Sequence, residues 1–226
     1  EIMPNAAFTL VQNDMVILEL WLKYYSKYFD NLLVVGNGTK DEYGDLQTLK
    51  KKYKFEFERI PLALTSEYTL PICKERQVKL LETHEWVLYS DCDEIIVADP
   101  TKYKDLKAFM QAYPREKVYC EGFNVIQAED ESPIDFSKPY LSQRKYWAKE
   151  TSYNKCLLAK VFLNWNVGCH KEMDMSDTES KETTNTGLFL LHLKFADLNY
   201  YRPRDLGPII TTIQGDKLIE CLKIKQ

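Results

Sequence analysis

The sequence predicts an α/β protein built on a mostly parallel sheet with helices on both faces. Through the first half, short apolar, β-branched and aromatic runs alternate with amphipathic stretches in the order β-α-β-α-β-α-β. Three polar clusters, Gln12 to Asp14, Asn37 to Asp41 and Asp91 to Glu94, each fall directly behind an apolar run. Parallel sheets gather their ligands at the carboxyl ends of the strands, so these clusters are candidate binding loops. A chain of 226 residues with 45% hydrophobic content can bury one sizeable core.

Each element has a local reason. Residues 6–11 (AAFTLV) form an apolar run that predicts a strand. Asp14 can cap a helix over 15–28, with Val16, Leu20, Tyr24 and Tyr28 at helical spacing. Residues 32–35 predict a second buried strand, closed by the turn signal Gly36-Asn37-Gly38. A helix over 43–52 and a strand over 55–60 follow, and Pro71 can open a helix that reaches residue 83. Residues 86–89 read as the next buried strand and 95–97 as another apolar run.

The second half has a different grain. Residues 103–113 predict a helix, and 117–127, 156–163 and 187–195 predict strands. The segment 171–186 is almost wholly polar and predicts a mobile loop, a candidate lid over a bound ligand. A helical tail is expected over 204–225. With no internal repeat and no clear linker, the chain reads as a single domain, 1–226, in two functional halves, 1–100 and 101–226.

Composition excludes several classes. The net charge of -4 provides no basic field for nucleic acid. No run of about 18 apolar residues exists, so no membrane-spanning helix is expected. The first residues lack the basic and apolar regions of a signal peptide. Six scattered cysteines without CxxC spacing read as reduced, mostly buried thiols, which favours a cytoplasmic setting. Peripheral attachment to a membrane and the cytosol of a virus-infected host cell are compatible settings.

The most informative stretch is EWVLYSDCDEIIV, residues 85–97. Asp91, Asp93 and Glu94 place three carboxylates within four residues, directly beside buried strand. Unpaired buried carboxylates cost several kcal/mol each, and a bound cation is the usual remedy. Alternation along an extended chain predicts Asp91 and Asp93 on one side, where both reach a single Mg²⁺ or Mn²⁺ ion that keeps positions open for phosphate. A solvated acidic turn is the plainer reading of the tripeptide alone, and the flanking strands weigh against it.

Three segments together, FTLVQND with the helix carrying LELWLKYY, then LLVVGNGTKD, then EWVLYSDCDE, give the chain a resemblance to family 2-like glycosyltransferases with the GT-A fold, in particular small sugar transferases of surface polysaccharides. Asp14 stands where that family often has Glu, Thr39 where it has Ser, and Gly36 where it usually has an Asp that holds the nucleotide base. The resemblance implies a Rossmann-like central sheet with a smaller antiparallel acceptor-side sheet. It also implies a nucleotide-sugar donor, with UDP as the default nucleotide and GDP or dTDP as alternatives, and a glycan or glycoconjugate acceptor. Under it, residues 1–100 hold the donor and 101–226 hold the acceptor.

The same resemblance distributes roles. Asp91 and Asp93 would bind the metal, and a late histidine would complete the site, with His192 first and His170 second. Leu10, Val11, Asn13, Asn37, Asp91, Lys155 and His170 would line the donor site, Lys155 neutralising phosphate charge. Arg202, Arg204, Lys74 and Arg76 rank behind Lys155. An inverting transfer needs a carboxylate near the acceptor hydroxyl to take its proton, and Asp130 is the candidate among Glu129, Asp130, Glu131, Glu172 and Asp174.

Three rival functions use similar parts. A nucleotidyltransferase shares the sheet, the metal and the nucleotide, but normally carries a Gly-rich basic loop after its first strand, where this chain reads VQNDMV. A phosphatase with an Asp nucleophile would usually continue with a small or Gly-Thr segment, where Glu94-Ile95-Ile96 stands here. A non-catalytic carbohydrate-binding module on the same fold is the third.

Overall fold

A computed structural model describes residues 3–12, 14–37, 40–61, 64–174 and 186–197. Strand β1 (Ala6–Val11) is buried along its whole length. That suits a run that is apolar apart from Thr9, as expected of a strand in a sheet covered on both faces. β1 pairs in parallel with β2 (Asn31–Gly36) on one side and with β4 (Val87–Tyr89) on the other. β2 in turn pairs in parallel with β3 (Glu56–Arg59). Helices α1 (Met15–Tyr25), α2 (Lys40–Lys52) and α3 (Ser66–Leu81) make the crossovers. The chain therefore winds outward from β1 to β3, then returns past β1 to β4. The gap between β1 and β4 is the topological switch point, where open α/β sheets bind their ligands.

Two antiparallel strands extend this sheet, β9 (Cys156–Ala159) beside β4 and β6 (Lys117–Tyr119) beside β9, for the order β3-β2-β1-β4-β9-β6. A second sheet has the order β5-β10-β7-β8, from β5 (Glu94–Ala98), β10 (Leu188–Phe195), β7 (Glu121–Ile126) and β8 (Tyr146–Lys149). It is antiparallel except for the β10–β7 pair. Helix α4 (Leu106–Ala112) follows β5.

Helix α1 joins the two layers. Leu18, Trp21, Leu22 and Tyr25 enter the core of the larger sheet, while Ile17 and Leu20 enter the core of the smaller one with Ile95, Phe123 and Leu191. Its aromatic residues also reach Ser90, just after β4, and the first residues of β5. Trp21 Nε1 donates to Ser90 Oγ (2.8 Å), Tyr25 OH donates to the Glu94 carbonyl (3.2 Å), and Tyr25 OH accepts from Ile96 N (2.8 Å). Asp14 caps the helix, accepting from Ile17 N (3.3 Å).

Three readings change. The run 117–127 is two strands in different sheets, because the chain steps across at Cys120, whose N–H donates to the Lys155 carbonyl (2.8 Å). Pro71 does not open α3 but lies inside it, five residues after its start. Its ring is exposed, and the helix forgoes the one bond its N–H would have made to the Glu67 carbonyl. β8, in the polar stretch after residue 144, was not expected. The helical tail over 204–225 and most of the polar loop, 175–185, lie outside the described residues. Among the described residues no helix is long and apolar enough to cross a membrane.

Candidate functional site

The residues between β4 and β5 form a turn at the junction of the two sheets. β4 ends at Tyr89, Ser90 N donates to the Phe8 carbonyl (3.3 Å), and Glu94 N donates to the Asp91 carbonyl (2.9 Å). Asp91, Cys92 and Asp93 therefore do not follow strand alternation. This turn, not an extended chain with both aspartates on one side, sets where their carboxylates lie. The two carboxylates are instead held by different neighbours. Asp91 Oδ1 accepts from Tyr89 OH (2.5 Å), and Asp91 Oδ2 lies 3.8 Å from Lys155 Nζ. Asp93 Oδ2 lies 3.3 Å from His192 Nε2, and the Asp93 carbonyl accepts from Leu193 N (2.8 Å).

Glu94 and Lys155 form the buried base of the site. Lys155 Nζ donates to Glu94 Oε1 at 2.6 Å, and both residues are 1% exposed. Burial pulls the Lys155 ammonium down, but the charges of Glu94 and Asp91 outweigh it and hold it above its ordinary value. Burial pushes the Glu94 carboxyl up to about 8. Lys155 pulls it back, and Asp91 and Asp93 add to the rise. Burial also opposes charge on Asp93, yet the hydrogen bond and charge of His192, with Lys155 behind, hold it below the usual carboxylate range. Among the described residues, Glu94 Oε2 is buried with no hydrogen-bond partner.

His192 sits on β10, opposite Glu94 on β5 and Asn124 on β7. Its Nδ1–H donates to Asn124 Oδ1 (2.8 Å), and the Tyr153 ring stacks on its face with centroids 4.1 Å apart. Tyr153 belongs to a 3-10 turn (Thr151–Tyr153) seated against Gly122 of β7, where an added Cβ would stand 2.4 Å from the Tyr153 carbonyl carbon. Lys155 Nζ lies 5.3 Å from the centre of the same ring.

The donor set fits a hard divalent cation in its sparse binding mode. Among the described residues no group of three or more His, Cys, Asp or Glu is gathered as a ready-made cage. Mg²⁺ and Mn²⁺ need no such cage, since they commonly take one or two carboxylates and complete their shell with water and phosphate. Ligands at right angles around an ion, with bonds of about 2.1 Å, stand about 3 Å apart. Asp93 Oδ2 and His192 Nε2 have nearly that separation, at 3.3 Å. Glu94 Oε2, which has no hydrogen-bond partner among the described residues, is a further oxygen at the base of the same group.

The remaining sequence candidates fall as follows. Leu10 and Val11 are buried in β1, and the Val11 carbonyl accepts from Asn37 N (3.3 Å), so these residues lie at the carboxyl end of β1 and β2 beside the switch point. Asn13 lies outside the described residues. His170 is exposed, with Nδ1 2.9 Å from the Ser152 carbonyl, and its ring lies 6.1 Å from that of Tyr153. Asp130 stands on the loop after β7, its carboxylate exposed and 3.9 Å from Lys145 Nζ. Lys74 bonds Asn164 Oδ1 (2.6 Å) and Arg76 bonds Glu58. Arg202 and Arg204 lie outside the described residues. Sequence reasoning missed Tyr89, Asn124 and Tyr153. Gly122 was an available signal, because glycine inside a strand marks a place where another backbone approaches closely.

No protein-family model matches the chain, and no curated protein matches it. Two solved structures share its length. One is a 4-diphosphocytidyl-2C-methyl-D-erythritol synthase from Anaerococcus prevotii DSM 20548, 10% identical, covering 94% of this chain and 99% of that one, with a TM-score of 0.39. The other is also a 4-diphosphocytidyl-2C-methyl-D-erythritol synthase, 15% identical, covering 95% of this chain and 100% of that one, with a TM-score of 0.41.

These findings correct the expected activity. No family model and no curated protein supports a family 2-like glycosyltransferase, and the two structures named above are synthases of a diphosphocytidyl compound rather than sugar transferases. Sugar transfer from a nucleotide-sugar donor, a glycan acceptor and a role in polysaccharide biosynthesis are withdrawn with it. The physical reason lies in the motifs. FTLVQND, LLVVGNGTKD and EWVLYSDCDE are the carboxyl ends of β1, β2 and β4, so they record a doubly wound sheet rather than the group that is transferred.

Proposed function

We propose that this chain is a divalent-metal-dependent nucleotidyltransferase. It binds a nucleoside triphosphate at the β1–β4 switch point and passes the nucleotidyl group to an acceptor that bears a phosphate. The observation that carries this reading is the cluster Asp91, Asp93, Glu94, Lys155 and His192 at the carboxyl end of β4. Asp91, Asp93 and His192 would hold the metal, which when bound neutralises phosphate charge. Lys155, kept cationic by Glu94 and Asp91, supplies a fixed positive charge at the same place. It stands in for the basic loop that nucleotidyltransferases normally carry after the first strand.

The state of the carboxylates favours attack at phosphorus by a nucleophile that needs no base. Asp91 is bonded to Tyr89 and close to Lys155, Asp93 faces His192, and Glu94 is bonded to Lys155. A phosphate oxygen of the acceptor is already ionised near neutral pH, so it can attack without giving up a proton. A new P–O bond forms at the α-phosphorus, the bond to the β-phosphate bridging oxygen breaks, and pyrophosphate leaves with that electron pair. Leu10, Val11 and Asn37, at the ends of β1 and β2, would line the nucleoside, and Asn13 and His170 are the remaining candidates for that side. We take 1–226 as one domain, residues 1–100 holding the nucleotide and 101–226 the acceptor.

The test is pyrophosphate release from CTP, UTP, ATP or GTP with Mg²⁺ or Mn²⁺ and a panel of phosphomonoesters of sugars and sugar alcohols. Release that requires an acceptor and is lost in Asp93→Ala supports the reading. Folded protein that releases no pyrophosphate with any pair refutes it.

A further inference from the structure

The His192 ring has two ends, and the structure treats them differently. Nδ1 donates to the side-chain oxygen of Asn124 at 2.8 Å, while Nε2 faces Asp93 Oδ2 at 3.3 Å. A neutral imidazole carries one proton. With that proton spent on Asn124, the neutral ring presents its Nε2 lone pair toward the Asp93 carboxylate, a gap that a second ring proton bridges in the imidazolium and that a divalent cation would bridge in the neutral ring. The rest of the pocket prevents the ring from turning. Tyr153 stacks on one face at 4.1 Å, Phe195 lies edge-on at 6.3 Å, and β10 is hydrogen-bonded on both sides, to β5 and β7. Asn124 itself is fixed by the pairing of β7 with β10 and β8.

We propose that Asn124 is a positioning residue for the metal site. By accepting from Nδ1–H it holds His192 in the tautomer whose Nε2 lone pair is free for a divalent ion shared with Asp93. Metal-ligating histidines depend on such a partner for the other ring nitrogen, and its loss typically costs 10–100-fold in metal affinity. Asn124 touches neither metal nor nucleotide, and it acts only through His192. The inference rests on the metal-dependent reading of the site.

The test uses the full chain as wild type, Asn124→Leu, Asn124→Asp and His192→Ala, each checked for folding by circular dichroism. Long-range ¹H–¹⁵N spectra of the metal-free proteins at alkaline pH report which ring nitrogen of His192 carries the proton, with His192→Ala assigning the signal. Calorimetry reports the affinity for Mn²⁺ alone. We expect wild-type His192 to be protonated at Nδ1 and Asn124→Leu to shift toward Nε2–H and bind Mn²⁺ about tenfold more weakly. Asn124→Asp, which still accepts from Nδ1–H, should bind at least as tightly as wild type. A wild-type ring protonated at Nε2, an unchanged tautomer in Asn124→Leu, or equal weakening in both variants overturns the inference. Failure of the metal reading looks different. Wild type then binds no Mn²⁺ while the tautomer still follows residue 124, and the proposed role of Asn124 toward a metal falls with that reading.

Discussion

Replacing Lys155 with Met removes one member of a buried ion pair while nearly preserving its volume. The pair is tight, 2.6 Å between Nζ and Glu94 Oε1, with both residues 1% exposed. Removing one partner of such a pair costs about 3–5 kcal/mol, because the other charge is left buried and uncompensated. Glu94 can escape part of that cost by taking up a proton. Its carboxyl is already raised from 4.5 to about 8. In wild type its contribution to stability is therefore full below pH 4.5 and is lost as pH rises to about 8. Without the downward pull of Lys155 the folded-state value climbs further, so the variant keeps losing stability above pH 8 where wild type has levelled off. Each further pH unit costs about 1.4 kcal/mol until the new value is reached. Urea unfolding followed by tryptophan fluorescence at pH 6 and pH 9 measures both limits. We expect a deficit of about 1 kcal/mol at pH 6 and, one pH unit past the wild-type value of Glu94, about 2.4 kcal/mol at pH 9. A deficit equal at both pH values, or none at pH 9, would refute the view that Glu94 and Lys155 balance each other.

Two further outcomes follow from the packing around the site. Gly122→Ala places a Cβ 2.4 Å from the Tyr153 carbonyl carbon and 2.6 Å from its oxygen, so the 3-10 turn must move away from β7. The variant should lose about 1–3 kcal/mol of stability in urea unfolding and also bind Mn²⁺ more weakly, because Tyr153 leaves the His192 ring. Trp21→Phe removes the indole donor to Ser90 Oγ (2.8 Å), both residues being fully buried. It should cost about 1–3 kcal/mol and speed amide exchange across residues 90–94, whereas a loss of stability with unchanged exchange there would show that α1 does not hold the turn.

How far the sequence could be read depends on how local each feature is. β1 and β4 were legible because AAFTLV, broken only by Thr9, and WVLY are apolar runs with no polar face, as a doubly covered strand requires. The Asp14 cap was legible for the same reason, since it depends on residues three positions apart. The misreadings came where a local rule was carried past its end. Alternation was applied through Asp91 and Asp93 although a hydrogen bond from Glu94 N to the Asp91 carbonyl folds that stretch into a turn. The run 117–127 has one composition but serves two sheets, and nothing local marks the step at Cys120. β8 (YWAK) has only Trp147 inward and reads as polar. The candidate site shows the same division. Its carboxylates and His192 were visible as residue types, whereas Asn124 and Tyr153 matter only through contacts made across β7 and β10. The activity was not legible, because the motifs that drew the glycosyltransferase resemblance are the strand ends of the fold itself.

The central claim is that Asp93, with a divalent ion, makes the β1–β4 switch point a nucleotide site. Calorimetric titration of CTP, UTP, ATP and GTP, each with and without Mn²⁺, against wild type and Asp93→Ala tests it most directly. The account predicts micromolar binding of at least one nucleotide that requires both the ion and Asp93. Folded wild type that binds none of the four in the presence of Mn²⁺, or binding that is equal in Asp93→Ala, would contradict it.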